Sequence, residues 1–111
     1  MVLDALARHG LARHVSIAAK LESLGLILPA PVRPPPGGVL PFRLVRIVGD
    51  RAYVSGHGPV NADGTLAKPL GQLGRELTTR QGYEAARLTA LAMLGSLERE
   101  LGDLERIVAW A

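Results

Sequence analysis

The sequence predicts an α+β domain on three observations. Two short apolar runs flank Gly49-Asp50, the signature of a β-hairpin. An apolar repeat at helical spacing fills the stretch between Thr78 and Leu101, opened by a capping box. A final apolar run, Ile107–Ala111, is strand-like. At 111 residues, 48% apolar and 21% charged, the chain suits one globular domain. Such a domain buries about 65% of its unfolded surface.

Three segments follow one another: an N-terminal helical segment over 1–28, a proline-rich connector over 29–41 and the α+β domain proper over 42–111. In the first, Leu3, Leu6, Leu11, Val15, Ala18, Leu21 and Leu24 keep a mostly helical spacing. Gly10 interrupts it, so the first ten residues form a weak helix or a frayed arm. Ser16 suits the cap of a shorter helix, and Gly25 suits its stop. Pro29, Pro31, Pro34, Pro35, Pro36 and Pro41 then fix φ and remove donors, which predicts an extended connector packed between helix and core.

The hairpin strands are expected over Phe42–Val48 and Ala52–Ser55. Glycines and prolines from Gly56 to Gly74 predict a loop. Thr78 as N-cap and Gln81 three residues into the helix then predict a helix near Thr78–Leu101, stopped by Gly102, that packs on the hairpin through Leu88, Leu91 and Leu94. A hairpin and one helix make a thin core that wants a third and a fourth strand. Because the chain stops inside an apolar run, the domain is expected to be incomplete at its C-terminus.

Composition narrows the function. The absence of cysteine excludes a disulfide scaffold, a thiolate metal site and a cysteine nucleophile. No apolar run nears the roughly 20 residues of a membrane span. Charged residues interrupt the first fifteen positions where a signal peptide needs an apolar stretch, so the expected location is the cytoplasm. A net charge of +3 and pI near 10 reflect a preference for arginine. The basic residues form no cluster and have no aromatic platform beside them, which argues against nucleic acid.

Gly56-His57-Gly58 lacks the third glycine and the immediate helix of a dinucleotide loop. His57 has no second histidine near it, so no metal or cofactor is expected. For His57 two readings stand, a histidine lining a small pocket and one that merely packs or faces solvent. Ser55 lacks the surroundings of a nucleophile elbow. Glu98, Glu100, Asp103 and Glu105 make a solvated helix end. His9 and His14 earn no role, and no catalytic set assembles from these patterns.

The run Arg51–Val60, which contains Ser55-Gly56-His57-Gly58-Pro59, is followed by the Asp63-Gly64 turn and by Gly71 and Gly74. A helix of the type Tyr83–Leu88 comes next, closed by Leu101–Val108. As a set these resemble the reactive-intermediate imine deaminase family, the RidA or YjgF-like family, also known as "endoribonuclease L-PSP". Lys20–Leu26, the Leu28-Pro29 step and the proline arm are similar to one bacterial subgroup, and the likeness spans roughly 18–111. The resemblance implies a chorismate-mutase-like α+β fold, with a mixed sheet packed on helices, assembled as a homotrimer. It implies hydrolysis of enamine and imine intermediates to keto acids and ammonia in clefts between subunits, without a metal or organic cofactor. Phe42, Ser55, Gly56 and His57 become the implied substrate-binding residues. Phe42 stands where tyrosine is usual and His57 where glutamine is common. The family's carboxylate-binding arginine and late glutamate lie on segments beyond the strand that Ile107 begins. The alternative is a non-catalytic trimeric ligand-binding or protein-interaction module of the same fold.

Overall fold

The computed structural model describes residues 1–3 and 15–111. The expectations attached to Leu6, His9, Gly10, Leu11 and His14 lie outside the described residues. In chain order the elements are β1 (Val2–Leu3), α1 (Ile17–Ser23), β2 (Val45–Val48), β3 (Arg51–Val54), α2 (Thr79–Leu101), a 3-10 turn at Leu104–Arg106 and β4 (Ile107–Ala109).

The hairpin forms where the Gly49-Asp50 signal puts it. Val45 pairs with Val54 and Val48 with Arg51, antiparallel. Its strands are shorter than the apolar runs, and Phe42 lies outside β2. One more backbone bond, from Ser55 N to Leu44 O at 2.9 Å, extends the pairing. Beyond it the Ser55 hydroxyl takes the Arg43 carbonyl at 2.6 Å, so a side chain ends the ladder.

Two further strands complete the sheet, in the order β2-β3-β1-β4. All three strand pairs are antiparallel, where the resemblance implied a mixed sheet. Val2 and Leu3, read from spacing as the start of a weak helix or frayed arm, instead form β1 between β3 and β4. Backbone hydrogen bonding decides this: β3 has an open edge, and Ala52 N donates to Met1 O at 3.3 Å. The hairpin therefore does gain a third and a fourth strand, drawn from residues 2–3 and 107–109.

Thr78 and Gln81 form the reciprocal capping box, with Gln81 N donating to Thr78 Oγ1 at 3.2 Å and Thr78 N to Gln81 Oε1 at 2.9 Å. Gly102 ends α2, its amide donating to Glu98 O at 2.7 Å. The helix meets the sheet through Leu94, Leu97 and Leu101, which pack with Val45, Ala52 and Leu104. Leu88 and Leu91, expected to share that contact, instead line a groove with Leu26, Pro29 and Val60. The reason is length. The 23 residues of α2 extend roughly 34 Å, whereas the four-residue β2 covers roughly 13 Å. The sheet covers only the C-terminal half, and loop and arm cover the rest.

Ser16 caps α1, accepting from Ala19 N at 3.0 Å, and Ile17 and Leu28 join the sheet's core cluster. The proline connector lies along the 60–66 loop: Ala30 N donates to Ala62 O at 2.8 Å and Arg33 N to Gly64 O at 2.9 Å. Gly64 makes that approach possible. Its φ is 86°, and a Cβ there would stand 2.1 Å from Pro31 O. Beside it, hydrogen bonds from the Thr65 hydroxyl and then the Thr65 amide hold the Asp63 carboxyl below its ordinary range. That stabilisation of the loop is present above the ordinary carboxylate pKa and fades as pH falls through the lowered one. Among the described residues no helix is long and apolar enough to cross a membrane.

Candidate functional site

Where β3 ends, the chain runs on through Ser55, Gly56, His57 and Gly58 and passes the middle of α2. The imidazole is held at both ends. Nδ1 lies 2.7 Å from Ser55 O and Nε2 lies 2.8 Å from Ser96 Oγ. A carbonyl only accepts, so in the neutral ring the proton sits on Nδ1 and Nε2 accepts from the Ser96 hydroxyl. This tautomer is assigned from the hydrogen-bond network.

Ser96 also accepts from Arg99 Nη2 at 3.4 Å, while Arg99 Nη1 donates to Pro29 O at 3.0 Å. Arg99 thus ties the helix to the proline arm, and Ser96 ties the helix to the segment after β3 through His57. Gly95 admits Pro29 to this junction, since a Cβ there would lie 3.3 Å from the Pro29 carbonyl oxygen. Among the described residues Arg99 has no carboxylate partner.

These groups face a cavity of about 200 Å³. Its apolar wall comes from Val32, Leu40, Leu44 and Val60, and Gly56, His57, Ser96 and Arg99 bring the polar atoms. Of the four residues expected at a site, Phe42, Gly56 and His57 line this cavity together. Phe42 is half exposed, at 51%, and sits on the rim. Ser55 does not line it. The Ser55 side chain turns to Arg43 and borders a separate, shallower depression with Arg46 and Tyr53, so Ser55 serves this cavity through the carbonyl that orients His57.

Ser96 and Arg99 are absent from the sequence-based set. Ser96 is the one hydroxyl within the apolar stretch Ala90–Leu97, and Arg99 follows on the same helix face. That lone hydroxyl was the available signal, but nothing local links it to a loop residue 39 positions earlier. Three or more His, Asp or Glu side chains gathered as for a metal ion do not occur among the described residues.

The comparisons with known proteins add one relative. Over 91 residues the chain is 37% identical to Protein TCP17 of Trypanosoma cruzi, covering 82% of this chain and 53% of that protein. The chain therefore spans about half the length of the curated relative it matches. No protein-family model matches the sequence. No solved structure matches it.

Proposed function

We propose that this chain is a RidA-like protein whose cavity takes small, carboxylate-bearing enamine or imine intermediates and hydrolyses them to keto acids and ammonia. The observation that carries the reading is Arg99: a guanidinium without a carboxylate partner among the described residues lines the same small cavity as His57. The resemblance implies a carboxylate-binding arginine on a segment after the strand that Ile107 begins; in this reading Arg99 of α2 takes that part. Its unused N–H groups suit a carboxylate, which a guanidinium binds in bidentate fashion. Hydrolysis adds water to the carbon of the C=N bond, moves a proton to nitrogen and expels ammonia. His57 is the cavity side chain with a ring nitrogen that can take and return that proton.

The second reading, a non-catalytic ligand-binding or protein-interaction module of the same fold, is favoured by one observation. Both nitrogens of His57 are already hydrogen bonded within the protein. On either reading the protein works in the cytoplasm as a homotrimer. Its sedimentation is expected to give three times the 11.8 kDa chain mass, and a monomer at all concentrations would refute the assembly.

The enzyme and the binding module part on kinetics. A 2-imino acid generated in place by an amino-acid oxidase, with semicarbazide as a competing trap, is expected to yield keto acid faster when the chain is present. Arg99→Met is expected to lower that acceleration about tenfold or more, the worth of a charged hydrogen bond. Unchanged keto-acid release with and without the protein would leave the binding module as the surviving reading.

A further inference from the structure

We propose that Ser96 is a nucleophile activated by His57, and that the cavity accepts short-chain acyl esters. This does not rest on imine chemistry, although it uses the same cavity. An activated serine needs a base within about 2.6–3.2 Å and a third group that orients the base. Ser96 Oγ and His57 Nε2 stand 2.8 Å apart, and Ser55 O, 2.7 Å from Nδ1, is the orienting group. The carbonyl fixes the tautomer that leaves the Nε2 lone pair facing the hydroxyl.

The behaviour of another helix hydroxyl sharpens the point. Thr89 Oγ1 donates back to Ala85 O at 2.8 Å, the ordinary partner for a hydroxyl inside a helix. Ser96 gives its hydrogen to a base instead, and it lines a cavity though only 6% exposed. Arg99 also brings positive charge beside the nucleophile, its Nη2 lying 3.4 Å from Ser96 Oγ. The amides of Gly56 and Gly58, both on the cavity wall, donate to no acceptor among the described residues and add potential donors. The volume of about 200 Å³ and the apolar wall suit an acyl chain of a few carbons.

In the first step Ser96 Oγ bonds to the ester carbonyl carbon and its proton passes to His57 Nε2. The carbon–oxygen bond to the alcohol then breaks, and the alcohol leaves with that proton. Water, deprotonated by His57, attacks the acyl-serine, and the carboxylic acid departs as Ser96 regains its proton. A carbonyl supports the imidazolium less than a carboxylate would, so the acyl-serine is expected to form slowly and to be detectable.

With 4-nitrophenyl acetate the unaltered chain is expected to release a burst of about one equivalent of nitrophenol per chain. Peptide mapping should find the acetyl group on Ser96. Ser96→Ala should abolish the burst, and His57→Gln, which keeps the serine, should slow it about 100-fold. Ser23→Ala, on an exposed helix end, should leave it unchanged. Phenylmethylsulfonyl fluoride mapped to Ser96 in the unaltered chain gives the same answer without any substitution. A burst that survives Ser96→Ala, or acetyl and sulfonyl groups found on Lys20, Lys68 or His57 with none on Ser96, would overturn the assignment.

Discussion

Replacing Leu97 by alanine is expected to destabilise the protein by about 3 kcal/mol, within the roughly 2–5 kcal/mol seen when a buried leucine is cut back. Leu97 is fully buried, at 0% exposure, at the point where α2 crosses the hairpin. Its neighbours Val45, Ala52, Leu101 and Leu104 belong to both layers, so no single segment can shift to refill the space. The cost therefore combines lost transfer energy with a cavity that persists. Urea unfolding should show a lower midpoint with an unaltered slope. Val108→Ala, at a position 52% exposed, serves as the contrast and should stay within about 0.5 kcal/mol. A Leu97→Ala loss as small as that of Val108→Ala would mean the helix does not seat on the sheet at this residue.

The second large effect is expected at Gly64. Alanine there would meet a left-handed backbone, φ 86°, which costs about 1–2 kcal/mol. Its Cβ would also stand 2.1 Å from Pro31 O, too close to keep, so the proline arm must lift. Lifting breaks the bonds from Ala30 N to Ala62 O, from Arg33 N to Gly64 O and from Arg33 Nε to Asp63 O. At about 1 kcal/mol for each hydrogen bond, the whole change is expected to reach about 3 kcal/mol or more. Ala30 and Val32 line the candidate cavity, so loosening the arm should also open its wall. Hydrogen exchange separates this from general instability. The Ala30 and Arg33 amides should lose protection in Gly64→Ala while amides in the second half of α2 keep theirs. Undiminished protection at Ala30 and Arg33 would show that the arm does not depend on Gly64.

What could be read from the sequence was local. The Thr78–Gln81 capping box, the Gly102 stop and the Gly49-Asp50 turn each involve residues a few positions apart, and each recurs in the structure. The strand Val2–Leu3 could not be read, because two residues carry no period and their partners lie at Arg51 and Ala109. The helix face was misjudged for a related reason. Periodicity reports which residues are apolar together, but it does not say which half of a long helix a short sheet will cover. At the candidate cavity, Gly56 and His57 stood out as a glycine-flanked histidine. Their helix partners did not, since a hydrogen bond between positions 57 and 96 leaves no trace in spacing.

The placement of Val2–Leu3 between β3 and β4 has a kinetic consequence. Strands β2 and β3 meet through a tight turn, so their pairing closes a short loop and is expected early. β1 must then find β3 across about half the chain, and β4 must find β1 from residue 109 back to residue 2. The entropy of closing such long loops is met before the last ladder rewards it, which slows the final step. Of the four strands of this sheet β1 is synthesised first and β4 last, so the β1–β4 pair is the last that synthesis allows to form. Until then one edge of β1 stays open to any passing strand, so this chain's exposure to mispairing is set by the time its two most distant strands need to meet.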